Sequence, residues 1–266
     1  MSIVSTPPLT GQCRPAPGAL LEVVVLHPRD VPGADEGGAD RVYLLHDPEA
    51  GGLSPEPGLV SAVCKETELP VRVMLRLSDG TTTTGGELTR LVGLAQDYLS
   101  VGAQGVSFGF LDAGLGIDVE VCTHLAEQLD GVPWTFHRVF DDTLETDRAW
   151  RDVSRLPGLD AVLSAGSARG LEAGHDELTD RAEASPAVAA LLMAAGGLRG
   201  EHVPWLVRAG VRQFQVAGSV RPGGSWTKAY VDPGHVRAWR MLLDDAAAHA
   251  GSVGRAHGVD GGRSAG

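Results

Sequence analysis

The sequence predicts an α/β fold, a single (β/α)8 TIM-type barrel, on three observations. Eight short apolar runs of strand length recur along the chain. Helix-like stretches lie between most of them, as expected when parallel strands are joined by crossover helices and buried on both faces. The 266 residues match one such domain and suffice for a large core. A doubly wound sheet would normally show a Gly-x-Gly-x-x-Gly turn after its first strand. Here the first run is followed by "HPRDVPG" instead.

The runs read in order as "LLEVVVL" (20–26), "RVYLL" (41–45), "VRVMLRL" (71–77) and "GVSFGFLD" (105–112). Then come "WTFHRVF" (134–140), "DAVLSAG" (160–166), "VAALLMAAGG" (188–197) and "RQFQVAGS" (212–219). Among the helices, "TGGELTRLVGLAQDYLSVG" carries the clearest signal. Thr84 precedes Glu87 by three residues, a capping-box pattern, and Leu88, Leu91, Val92, Ala95 and Leu99 follow at helical spacing. "GIDVEVCTHLAEQLDG", "TLETDRAWRDVSRLPG", "EHVPWLVRAG" and "DPGHVRAWRMLLDDAAAHAG" behave similarly. The first helix, "PRDVPGADEGGAD", is weakened by Pro32 and paired glycines, and "SARGLEAGHDELTDRAEASP" is polar. Residues 1–18 and 249–266 read as flexible tails around a barrel spanning 19–248.

Composition narrows the function. A net charge of −12 argues against nucleic acid or an anionic membrane as partner. Cys13, Cys64 and Cys122 are far apart, so neither a disulfide framework nor a structural zinc site is expected. With no signal-peptide pattern and no apolar run long enough for a bilayer, the expected location is cytoplasmic. Lys65 and Lys228 are the lysines, and neither lies in a strand. That disfavours a Schiff-base enzyme, which needs a desolvated lysine in the barrel.

Active sites of such barrels lie where the strands end. The polar residues there are the candidates. His137, Glu22 and Asp112 are the expected catalytic group, with His137 as acid or base and the carboxylates to orient it and set its pKa. Arg76, Arg138 and Asp141 are expected to bind substrate, the arginines by paired N–H donors to a carboxylate or phosphate. Gly196, Gly197, Gly218 and Ser219 follow strands seven and eight, where barrels often hold an anion on backbone N–H groups. The expected partner is therefore a small anionic molecule. No cofactor is specified; Glu22, Asp112 and His137 could take a divalent metal, although no spacing diagnoses one. The competing reading makes the charged group a salt-bridge plug at one end of the barrel.

"LLEVVV", "GADRVYLL", "EAGGLSP", "GFLDAGLGID", "TFHRVFD" and "VLSAG", in this order from about Leu20 to about Asp245, resemble the CutC family of copper homeostasis proteins. The resemblance implies a TIM-type barrel, a cytoplasmic location and a homo-oligomer. It matches Glu22, Arg76, Asp112, His137, Arg138 and Asp141 to family motif positions. The chain departs from the family at Tyr43-Leu44-Leu45, where relatives commonly have Glu-Leu-Cys. It also has Val23 and Val24 in place of cysteines, and Gln215 in place of a histidine. Copper(I) favours thiolates and thioethers, so weak or no copper binding at the strand ends is expected. Two classes follow: an enzyme on a small anionic metabolite, or a non-catalytic metal-handling protein.

Overall fold

The computed structural model describes residues 18–226 and 228–258, the side chains of 252–258 excepted. Eight strands close into a barrel in sequence order, every neighbouring pair parallel, with β8 returning to β1. They are β1 Leu20–Val25, β2 Arg41–Leu44, β3 Val71–Met74, β4 Gly105–Phe108, β5 Trp134–Phe136, β6 Leu159–Ser164, β7 Leu192–Ala194 and β8 Gln213–Val216. The helices outside are α1 Val31–Gly37, α2 Pro57–Cys64, α3 Gly85–Ser100, α4 Val119–Glu127, α5 Thr146–Val153, α6 Leu171–Ala184, α7 Pro186–Leu191, α8 Val203–Arg208 and α9 Pro233–Gly258.

The strand faces explain the continuous apolar runs. Leu21, Val23, Val42, Leu44, Val73, Val106, Phe108, Phe136 and Phe214 point outward and are buried under the helices. Alternate residues, among them Val24, Tyr43, Met74, Leu163 and Met193, fill the barrel interior as a second cluster. Both faces are dry, so the usual polar alternation of a half-exposed strand is absent. Burying each Val or Leu side chain contributes about 1.5–3 kcal/mol before entropy is counted. α3 begins as expected: Thr84 Oγ1 accepts from Glu87 N–H, and the Glu87 carboxylate accepts from Thr84 N–H.

Several elements differ from the sequence expectation. The fifth strand stops at Phe136, and Arg138–Asp142 wind into a 3-10 turn capped by His137. "VAAL" is the end of helix α7 rather than strand; Pro186 sits at its start and Ser185 caps it by accepting from Val188 N–H. Only Leu192–Ala194 join the sheet. "EPGLVSAVC" supplies α2, while the polar "LEAGHDELTDRAEA" forms α6 by burying Leu171, Gly174, Leu178 and Ala182. α9 continues to Gly258, beyond the expected boundary at 248. The expected N-terminal tail through Pro17 and the last eight residues lie outside the described residues.

Candidate functional site at the barrel mouth

Charged side chains enter the barrel at two levels. The lower level is built from strand beginnings. Glu22 pairs in register with Arg41 on β2 and Gln215 on β8. Its carboxylate, fully buried, is ion-paired to the Arg41 Nε and accepts 2.8 Å from Gln215 Nε2. Arg41 also stands 3.7 Å from Asp160. Arg72 donates to both Asp160 oxygens and to Thr135 Oγ1. Asp160 reaches this group because the register slips there: Trp134 pairs with Leu159 and Thr135 with Ala161, leaving Asp160 between them. Two arginines and two carboxylates balance, and the network closes the N-terminal end of the barrel. Glu22 therefore lies at the opposite end from the strand exits, where the sequence reading placed it in a catalytic role.

The upper level holds His137 and Arg76. His137 is 3% exposed. Its ring lies 6.3 Å from that of Phe136, which belongs to an aromatic cluster: Trp134 stacks on Phe108 at 3.9 Å, Phe140 meets Phe136 edge-on at 6.1 Å, and Trp150 packs on Phe140 at 4.7 Å. The His137 N–H donates to Phe108 O, tying the strand exit to β4. The imidazole Nδ1 accepts from Val139 N–H at 3.2 Å, so the ring proton resides on Nε2. That Nε2 is buried and has no hydrogen-bond partner. Burial, reinforced by the charge of Arg76, lowers the His137 pKa to about 3. The ring is thus a neutral hydrogen-bond donor. A general base would need a free lone pair, and here the available lone pair already holds a backbone N–H.

Arg76 is half-buried and is held by carbonyls: Asp79 O at 2.6 Å, Gly80 O at 3.3 Å and Ala50 O at 3.4 Å. Among the described residues no carboxylate lies within ion-pairing distance of it, and its Nε is buried without a partner. The loop from "EAGGLSP" explains the position. Gly51 and Gly52 have φ of +77° and +94°, which glycine adopts without strain. A Cβ on Gly52 would come 3.0 Å from Met74 Cε and 3.1 Å from Leu45 Cδ2, and one on Gly51 would come 3.1 Å from Arg76 Nη1. The loop thereby folds down over the mouth, and Ser54 Oγ accepts from Arg76 N–H at 2.8 Å. Below, Tyr43 donates to Met74 Sδ at 3.6 Å, with its ionisation pushed far up by burial.

The remaining candidates have other partners. Arg138 donates to Asp141 Oδ2 at 3.0 Å. Asp141 also accepts from Ser164 Oγ at 2.6 Å and Ala165 N–H at 2.9 Å, binding the β5 exit to the β6 exit; burial raises its pKa. Gly196 O accepts from Leu171 N–H, and a Cβ there would meet Arg138 Cζ at 2.5 Å. The arginine thus covers the glycine that was expected to face an anion. Gly197 has φ of +90° in the same turn. Gly218 opens a 3-10 turn with Ser219, whose side chain is exposed. Asp112 is exposed at the loop after β4 and accepts from Gly114 and Gly116 N–H at 2.8 and 2.9 Å. Among the described residues neither Glu22 nor Asp112 hydrogen-bonds His137.

Sequence reasoning missed Arg41, Arg72 and Asp160, although each interrupts or opens an apolar run. It also missed a buried bidentate pair, Arg221 to both Asp30 oxygens at 2.8 Å, which joins the loops after β1 and β8. Arg221 lies 5.3 Å from the ring of Trp226, which packs against the interior cluster. No helix of the described residues is long and apolar enough to cross a membrane.

Comparison with known proteins follows the same outline. A family model described as the CutC family matches residues 19–220. A family protein CutC from Klebsiella pneumoniae (strain 342) is 28% identical over 196 residues, covering 73% of this chain and 78% of the relative. One from Caulobacter vibrioides is 33% identical over 210 residues, covering 77% and 78%. The human copper homeostasis protein cutC homolog is 32% identical over 161 residues, covering 59% and 58%. The solved structure of CutC from Streptococcus agalactiae superposes with a TM-score of 0.65 at 21% identity, covering 74% of this chain and 97% of that one. The matched span contains all eight strands and both charged levels of the barrel, and ends at Val220 rather than near Asp245. On that match this chain belongs to the CutC family.

Proposed function

We propose that the barrel mouth binds a small anionic metabolite, a carboxylate or phosphate, between Arg76 and His137. The observation that carries this reading is the buried Nε2–H of a neutral His137, without a hydrogen-bond partner among the described residues, beside Arg76, which has none of their carboxylates within ion-pairing distance. An unsatisfied buried donor costs about 1–3 kcal/mol, and an incoming oxyanion would satisfy it. Arg76 supplies charge, and His137 supplies a fixed dipole that costs no proton transfer. A neutral imidazole in this position polarises a carbonyl or carboxyl oxygen rather than removing a proton. His137 is thus an electrophilic donor in this reading, in place of the acid-base role expected from sequence.

The human relative is named for copper homeostasis. Such a role for this chain would run through the anion or through partners. The soft donors support no copper centre at the mouth. Burial pushes the Cys122 thiol up to about 12 and raises that of Cys64, and a neutral thiol is a poor ligand. The cytoplasmic location and homo-oligomeric assembly expected from sequence belong to the same proposal.

Thermal melts against phosphorylated sugars and carboxylic acids test the binding. At least one should raise the melting temperature of the wild type, by mass action on the folded state. Arg76→Met and His137→Asn should each abolish the shift; asparagine Oδ1 can keep the Val139 N–H satisfied while deleting the Nε2 donor. A shift that survives both substitutions would place the ligand elsewhere and end this reading.

A further inference from the structure

Apart from Arg76 and His137, four metal-ligating side chains meet where α6 begins and the β7–α8 connection passes. Glu172 and His175 lie three residues apart on α6 and share one face. Glu201 and His202 lie in the 3-10 turn Gly200–His202 that leads into α8. One donor atom each from Glu172, Glu201 and His202 lies within 4.8 Å of the others. Two exposed carboxylates alone would be an ordinary acidic patch. The imidazole changes that: the His202 side chain is 8% exposed, and its Nε2 stands 3.8 Å from Glu172 Oε2, beyond hydrogen-bond reach. The His175 ring lies 5.1 Å from that of His202, and its own buried Nε2 has no partner.

Arg199 occupies the centre of the group. Its guanidinium contacts Glu172 and stands 2.7 Å from Glu201. Its backbone N–H donates to His202 Nδ1 at 3.1 Å. We propose that Glu172, Glu201 and His202 form a site for a borderline divalent transition metal such as Zn(II), which Arg199 holds closed while no metal is bound. Carboxylate oxygens with an imidazole nitrogen suit such an ion; a soft ion would want sulfur and a hard one more oxygen. Three protein ligands leave a position for water, and His175 is a further donor at the edge.

The proton balance involves the same arginine. With Arg199 N–H on Nδ1, the His202 ring proton sits on Nε2. A metal on Nε2 displaces that proton to Nδ1, and Arg199 N–H must then leave Nδ1. The guanidinium must also leave the carboxylates, so a shift of the Arg199 backbone and a swing of its side chain together open the three ligands, and the imidazole releases no net proton. This site shares no residue with the barrel mouth and is independent of the function proposed there.

Titration of the metal-stripped full-length chain with Zn(II), against a competing chromophoric chelator, tests the site. One Zn(II) should bind per chain, and Co(II) in its place should give visible absorption bands. Glu172→Gln and His202→Gln should each weaken binding about tenfold or more. If His202→Gln fails to fold, the exposed Glu172→Gln carries the test. Arg199→Ala removes the competing cation and should tighten binding several-fold, a change opposite to that of general destabilisation. Absence of saturable binding, wild-type affinity in Glu172→Gln, or unchanged or weaker binding in Arg199→Ala would each overturn the proposal.

Discussion

His137 shows how much one residue's environment can hide from its sequence. "TFHRVFD" revealed polar groups inside an apolar run, and successive strand residues point to opposite faces, so His137 and Arg138 posed a conflict. The chain resolves it by ending the strand at Phe136. His137 then caps the turn, and Arg138 swings to Asp141 over Gly196. Nothing in the spacing of the run marks that end. The buried neutral ring has a pH consequence. Its folded pKa of about 3 lies below the ordinary 6.5, so between those values the unfolded chain takes up a proton that the folded chain refuses. The stability contributed by His137 is complete above about 6.5 and is lost as pH falls toward 3, on the order of a few kcal/mol. Asp141, with its pKa raised, works in the opposite direction on acidification. Denaturant unfolding of wild type and His137→Asn from pH 7 to 4.5 should isolate the histidine. The wild type should lose more stability than the variant; parallel losses would mean that His137 is not held neutral.

At the scale of elements, the closed barrel was legible because eight apolar runs alternate with helices, and each strand is buried on both faces. The short strands were less legible, since β5 and β7 run only from Trp134 to Phe136 and from Leu192 to Ala194. Apolar residues continue past their ends into a turn or back into a helix, so hydrophobicity alone overestimates strand length. The lower charged level was illegible for another reason. Glu22, Arg41, Arg72 and Asp160 come from four strands, and they meet only when the barrel closes and β6 slips register. A salt-bridge plug stands at the strand beginnings, but of the residues weighed for one from the sequence only Glu22 belongs to it. Glu22→Gln should therefore destabilise the fold on the order of 3 kcal/mol, because it removes one of the two carboxylates of the network and leaves Arg41 and Arg72 sharing Asp160. Urea unfolding measures the loss. The anion-induced rise in melting temperature should persist in this variant; its disappearance would put Glu22 in the binding site after all. Gly196→Ala tests the upper rim. A left-handed alanine costs about 1–2 kcal/mol, and the new Cβ, 2.5 Å from Arg138 Cζ, must push that arginine away from Asp141. Its melting temperature should fall below that of a matched exposed Gly93→Ala control, where the helix has room for a Cβ.

For the molecule as a whole, membership of the CutC family and the chemistry of this chain pull apart on copper. The barrel interior offers two thioethers, Met74 and Met193, and both already face other groups: Tyr43 donates to Met74 Sδ, and Arg41 lies 3.9 Å from Met193 Sδ. Cys122 is sealed on α4 against Phe110 O, outside the barrel, and Cys64 ends α2, also outside. Cys13 lies outside the described residues. Among the described residues a cuprous ion at the mouth would thus find an arginine, a protonated imidazole nitrogen and no thiolate. The positive charge of Arg76 would oppose it, while the same charge attracts an anion. Titration with Cu(I) against a competing chelator should show no tight site in a Cys13→Ser, Cys64→Ser, Cys122→Ser variant. In that variant the thermal shift given by the anionic ligand should match wild type, since Cys64 and Cys122 lie on the outer helices, away from the mouth. Stoichiometric Cu(I) retained by the cysteine-free chain, and lost when Met74→Leu or His137→Asn is added, would put copper at the barrel mouth and reverse the assignment.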